Sequence, residues 1–167
     1  MTVPFAERWF EDYRVGEVHE FGDYLVTADE IIAFATRYDP QAFHVDPEAA
    51  KASNFGGLVA SGWMTASVMM RMLVDHVISK RSSMGSPGID ELRWHKPVRP
   101  GDRLRGRLEI VESRRSVSKP DRGIVRMLQQ VLNQHGEVVM SYRGMGMYRC
   151  RPADAQAPGD AGHRESP

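Results

Sequence analysis

The chain predicts an α+β fold in which one curved antiparallel sheet wraps a single long helix. Three observations point there. The longest apolar stretch, Trp63 to Ile78, carries apolar side chains on nearly every side at helical spacing, so this helix is expected to be buried all round. After Gly85-Ser86-Pro87-Gly88 the period changes: from Arg103 to Glu112, Leu104, Leu108 and Ile110 alternate with charged residues, the mark of a strand with one face in a core. The order of elements is strand, helix, loop, long helix and then about four strands, which a sheet wrapped around one helix satisfies. No internal repeat or second domain is visible, and residues 1–151 read as one domain.

Residues 9–18 mix aromatic and acidic side chains and read as an irregular lead-in to a strand over His19–Val26. Thr27-Ala28-Asp29-Glu30 has the form of a capping box, with Thr27 as N-cap and Glu30 three residues on. The helix that follows shares Ile31, Ile32, Phe34 and Ala35 on one face and must stop before Pro40, because a residue preceding proline avoids helical geometry. That puts Asp39 at a helix exit and His44 in a constrained loop. Asp46-Pro47-Glu48-Ala49-Ala50-Lys51 predicts a short helix capped by Asp46 with Pro47 in its first position. The main helix spans Trp63–Ser79, with Met64, Met69, Met70 and Met72 as core filler. Strands follow at Ile89–Trp94, Arg103–Glu112, Gly123–Leu132 and Glu137–Tyr148, with a polar loop over Ser113–Gly123. Residues 152–167 hold no large apolar side chain and are expected to form a disordered tail.

Composition narrows the function. The chain has 167 residues, 41% of them hydrophobic, enough for one globular core. Its 22 basic and 22 acidic residues cancel, which argues against a nucleic-acid or membrane-surface binder. The charge is unevenly spread, however: residues 93–126 hold 11 basic and four acidic side chains, a segment able to attract a phosphorylated small ligand. Cys150 is the only cysteine, so a disulfide framework and a cysteine-based zinc site are excluded. The remaining histidines, His19, His76, His95, His135 and His163, have no ligand-like spacing, and no metal site is expected. The residues Met1–Arg8 carry no apolar signal core, and the longest apolar stretch is interrupted by Arg71, Asp75 and His76, so a cytoplasmic protein is expected.

The informative segment is Tyr38-Asp39-Pro40-Gln41-Ala42-Phe43-His44-Val45-Asp46-Pro47. A carboxylate and an imidazole stand five residues apart between two prolines, and an apolar helix starts just after Ser61-Gly62. A base, a second proton carrier and a helix N-terminus are the parts needed to activate water and polarise a carbonyl. Each residue also has a plain structural reading: Asp39 as an Asx turn with Pro40, His44 as an ordinary loop histidine, Gly62 as a close-packing glycine.

The wider pattern raises the weight of the functional reading. Arg37 to Ala50, followed by Phe55-Gly56-Gly57-Leu58-Val59-Ala60-Ser61-Gly62-Trp63, resembles the hydratase motif of the MaoC-like family of (R)-specific enoyl-CoA hydratases and acyl dehydratases, which have the hotdog fold. Asp39, His44, Asp46 and Gly62 match. Leu92 to Asp102, with Pro97-Val98 and Gly101-Asp102, looks like the family's sheet segment. Gln41 and Ala42 replace the usual Asn-Pro pair, and Ser61 replaces the histidine before the glycine.

The resemblance implies reversible hydration of a trans-2-enoyl-CoA to an (R)-3-hydroxyacyl-CoA. Asp39 and His44 would act on the water, and the Gly62 N–H would donate to the thioester oxygen. No cofactor would be needed beyond the coenzyme A or acyl carrier protein thioester of the substrate itself. Ser61, Lys96, Arg99 and Arg103 are candidate substrate contacts, the three cations for phosphates. A hotdog thioesterase and a non-catalytic acyl-thioester binder are the competing readings. A homodimer or larger homo-oligomer is expected, because one sheet around one helix leaves an edge strand and an apolar rim to cover.

Overall fold

The computed structural model describes residues 3–153. Two single-turn 3-10 helices, Phe5–Glu7 and Phe10–Asp12, lead into β1 (Val18–Leu25). There follow α1 (Ala28–Tyr38), α2 (Ala42–Val45), α3 (Pro47–Lys51) and α4 (Gly62–His76). The chain closes with β2 (Ile89–Trp94), β3 (Arg103–Arg115), β4 (Arg122–Leu132) and β5 (Val138–Arg149). All five strands form one sheet in the order β1-β3-β4-β5-β2, every neighbouring pair antiparallel. This is the expected hotdog architecture. β3 and β4 pair from Arg105↔Leu132 to Arg115↔Gly123, which sets the length of the sheet's centre.

The alternation read from the sequence puts Leu104, Leu108 and Ile110 of β3 into the core with Val125 and Val131 of β4, all essentially without solvent exposure. α4 lies on that face through Met64, Val68, Met69, Met72 and Leu73. At β1 the strand bulges between Phe21 and Tyr24, and Gly22 sits there at φ +76° with Met72 packed against it, a position that a side chain could not share.

Four expectations change. α4 is not buried all round: Trp63, Met70 and Val74 are about half exposed, so Met70 is not core filler. One sheet covers one side of a helix, and the opposite side stays open. α4 ends at His76, short of Ser79, because the Val77 and Ile78 N–H groups both donate to the Leu73 carbonyl and the Ser79 hydroxyl is drawn to the Arg8 carbonyl at 2.7 Å. His44 lies in a helical turn, α2, closed by the Asp46 N–H on the Ala42 carbonyl at 2.9 Å, where an irregular loop was expected. The strands extend through Arg115 and resume at Arg122, so the polar connection is shorter than Ser113–Gly123. The expected tail over 152–167 lies outside the described residues apart from Pro152 and Ala153.

Candidate active site

The site forms where α1 ends, α2 turns and α4 begins. α1 starts on the expected capping box, the Thr27 hydroxyl accepting from the Glu30 N–H and the Glu30 carboxylate accepting from the Thr27 N–H. It stops at Tyr38, and Asp39 follows as C-cap in non-helical backbone, φ −153° and ψ 65°. α2 then carries His44 back beside it. The His44 Nε2 lies 3.4 Å from Asp39 Oδ2, and both side chains line a cleft of about 500 Å³.

The imidazole is held from behind. Its Nδ1 stands 2.7 Å from the Val59 carbonyl. A carbonyl only accepts, so Nδ1 carries a hydrogen and Nε2 is the nitrogen left for chemistry. Asp39 is held at both oxygens: Ser61 Oγ donates to Oδ2 at 2.7 Å and Gln41 Nε2 to Oδ1 at 2.8 Å. These bonds, the Ser61 one first and the Gln41 one second, hold its carboxyl below the usual carboxylate range against the opposing effect of burial, with a smaller contribution from His44. Asp39 is therefore ionised at neutral pH. Oδ2 and Nε2 are close enough for one water in the cleft to contact both.

Gly62 lines the same cleft as the first residue of α4. Among the described residues its N–H has no acceptor, as expected for the first turn of a helix. The Trp94 indole lies across it, with Nε1–H donating to the Gly62 carbonyl at 2.9 Å. A Cβ at position 62 would overlap that ring. Glycine is thus required there by packing, whatever its N–H does.

The other candidates separate. Ser61 is wholly buried behind Asp39 and does not line the cleft. Lys96 lines it, held by Glu137. Arg99 lies at its edge, donating to the Phe55 carbonyl at 2.6 Å. Arg103 is not brought to the cleft: it forms a two-pronged pair with Asp23, at 3.0 and 2.5 Å, beside a separate depression with Gln134. Sequence reasoning missed Trp94 and Gln41. Gln41 was visible only as a departure from the family pattern. Trp94 carried no signal, because its partner Gly62 lies 32 residues away across the fold. The aromatic walls, Phe43, Phe55, Trp63 and Trp94, were equally unmarked.

Fold and site together define a hotdog protein with an aspartate–histidine pair facing a cleft at the start of its central helix. The family model for the MaoC like domain matches residues 12–131, and the chain belongs to that family. A crystal structure of a MaoC-like dehydratase from Rhodospirillum rubrum superposes with a TM-score of 0.80 at 40% identity, covering 87% of this chain and 99% of that one. Mesaconyl-CoA hydratase of Cereibacter sphaeroides is 30% identical over 155 residues, which is 92% of this chain but 44% of that enzyme. The 3-hydroxyacyl-thioester dehydratase Z of Mycobacterium tuberculosis is 33% identical over 88 residues, covering 52% of this chain and 58% of that protein.

Proposed function

We propose that this chain is an acyl-thioester hydratase/dehydratase that interconverts a trans-2-enoyl thioester and an (R)-3-hydroxyacyl thioester. The observation that carries this reading is the Asp39–His44 pair: an ionised carboxylate and an unengaged Nε2, 3.4 Å apart, on one cleft with Gly62 at a helix start. In the hydration direction the pair takes a proton from water, whose oxygen bonds to C3. The pair then returns a proton to C2, so that H and OH add across the double bond, the pair ends as it began, and no oxidant or reductant is needed. Charge that builds on the thioester oxygen would meet the Gly62 N–H and the positive end of α4, a donor typically worth ~3 kcal/mol of barrier.

Acid–base chemistry of this kind needs neither metal nor redox cofactor, and the proposal includes none. The carrier is coenzyme A or acyl carrier protein, with Lys96, and Arg99 at the Phe55 edge, as the cations nearest the cleft. The names of the relatives support the reaction class. The half-exposed Trp63, Met70 and Val74 on α4, with Ile89 and Trp94 on the edge strand β2, support pairing with a second copy. No helix among the described residues is long and apolar enough to cross a membrane, and a cytoplasmic location is part of the proposal.

One assay tests the reaction. The protein is incubated with crotonyl-CoA and with a saturated acyl-CoA while enoyl absorbance and free thiol are followed. Loss of absorbance without thiol release supports hydration. Thiol release from either substrate makes the protein a thioesterase, and binding with neither change makes it a non-catalytic acyl-thioester binder.

A further inference from the structure

We infer that Ser61 is a positioning residue whose buried hydroxyl locks the Asp39 carboxylate to the N-terminus of α4, acting through Asp39 and never touching substrate. Its consequence for turnover rests on the hydratase reading; the lock itself does not.

The geometry fixes the direction of the hydrogen bonds. Ser61 is the N-cap of α4, and its Oγ accepts from the Trp63 N–H at 3.3 Å. A backbone N–H can only donate, so the hydroxyl proton must go elsewhere. The side chain is fully buried, and the acceptor within reach is Asp39 Oδ2 at 2.7 Å. The helix end therefore makes the hydroxyl a donor to Asp39, a state that favours the carboxylate over the carboxylic acid.

The oxygen it holds is the one that faces His44. Gln41 holds the other. With each oxygen on a separate donor, rotation of the carboxylate is arrested, and Oδ2 is kept 3.4 Å from His44 Nε2. Asp39 needs such support, because its backbone lies beyond the last turn of α1. Ser61 also precedes Gly62 directly, so one hydroxyl, 22 residues from Asp39 in sequence, couples the position of the base to that of the helix-start N–H.

The charged and titratable neighbours are few. His44 faces Asp39 from α2. His95 and Lys96, on the connection after β2, line the same cleft but are engaged by Ser141 and Glu137. α4 contributes the hydroxyl and its own N-terminus. The depressed Asp39 carboxyl, with Ser61 as the largest cause, agrees with this arrangement. The expectation that Ser61 contacts substrate is replaced by a role one layer further back.

The test uses the full chain and two variants. Ser61→Gly removes the hydroxyl at a position where glycine still caps a helix, and Ser61→Thr keeps both hydroxyl and cap. The Asp39 carboxyl is titrated by carbon-13 NMR, and hydration of crotonyl-CoA is measured across pH. In folded Ser61→Gly the Asp39 inflection should move up, and the acid limb of turnover should move with it. Turnover at its optimum should fall about tenfold to a hundredfold, with KM little changed. Ser61→Thr should restore all three. An unmoved Asp39 inflection in folded Ser61→Gly overturns the lock and leaves Ser61 as a helix cap only. If the parent does not hydrate enoyl thioesters, the hydratase reading fails, while the titration still decides the lock.

Discussion

Arg8 and Glu17 close a two-pronged pair at 2.6 and 2.8 Å, whereas Asp39 and His44 stand 3.4 Å apart. Both pairs are largely buried. At Arg8 every nitrogen is spent: two face the Glu17 oxygens, Nε donates to the Val3 carbonyl at 2.9 Å, and the guanidinium lies 3.7 Å over the Phe5 ring. At the second pair the outer bonds are made and the inner one is left open. Val59, Ser61 and Gln41 hold the two groups from outside, so they face each other with capacity to spare. A satisfied pair fastens the N-terminal segment to the sheet, while an open pair is available to a third molecule. The difference between structure and chemistry lies here in unspent hydrogen-bond capacity rather than in burial or residue type.

The comparison predicts opposite responses to mutation. Glu17→Ala leaves the Arg8 charge buried and unpaired, so it should destabilise by about 3 kcal/mol or more. Arg8→Met should cost less, because Glu17 is 23% exposed and can turn to water. Denaturant unfolding of the two variants checks the order, and equal losses would mean the pair is merely packing.

Asp39→Asn should cost a little stability, since its amide can accept from only one of the two donors, and lower hydration at least a hundredfold, about 2.7 kcal/mol of barrier. Asparagine keeps the shape but cannot take the proton. His44→Ala should be similarly impaired, and the double variant should lose little more, since both act on one water. Near-normal turnover in Asp39→Asn would break the mechanism.

The role of the Gly62 N–H needs a background in which position 62 has room. In Trp94→Ala, Gly62→Ala keeps the donor and Gly62→Pro removes it while retaining a φ suited to a first helical turn. Turnover in the proline variant should be lower by about two decades. Equal rates in the two folded variants would leave glycine there for the indole alone.

The smallest effect is on acid stability. Asp39 has its folded-state carboxyl depressed, so it binds fewer protons folded than unfolded. Its stabilisation is present above the ordinary carboxylate value of about 3.9 and is lost as pH falls through the lower folded value. Melting temperature should therefore fall less steeply below pH ~4 in Asp39→Asn than in the parent. Parallel curves would mean that the Ser61 and Gln41 bonds persist in the unfolded chain or are worth nothing.

Local signals account for much of the fold. The capping box at Thr27, the stop before Pro40 and the Asp46-Pro47 helix start all formed as the sequence predicted, with the Asp46 side chain accepting from Glu48 and Ala49 N–H groups. The alternation of Leu104, Leu108 and Ile110 gave the buried face of β3. Such features depend on neighbours within a few residues, so the sequence alone carries them.

The environment of the site was less legible. Asp39, His44 and Gly62 could be named from a linear motif, but the partners that define their state come from elsewhere in the chain. Val59 fixes the His44 tautomer through a carbonyl that every residue possesses, so no residue type could have announced it. Arg103 looked like a phosphate contact until the β1–β3 pairing put Asp23 beside it.

The sequence by itself determined the element order, the buried face of the sheet and the identity of the aspartate and histidine that meet at the cleft, because capping, periodicity and short motifs are written in adjacent side chains. Only the tertiary structure decided that one side of α4 stays open, that Ser61 serves Asp39, and that Trp94 reserves position 62 for glycine. Those outcomes depend on which distant groups the closed sheet brings within 3 Å or so of each other, and hydrogen bonding and steric exclusion act only at that range.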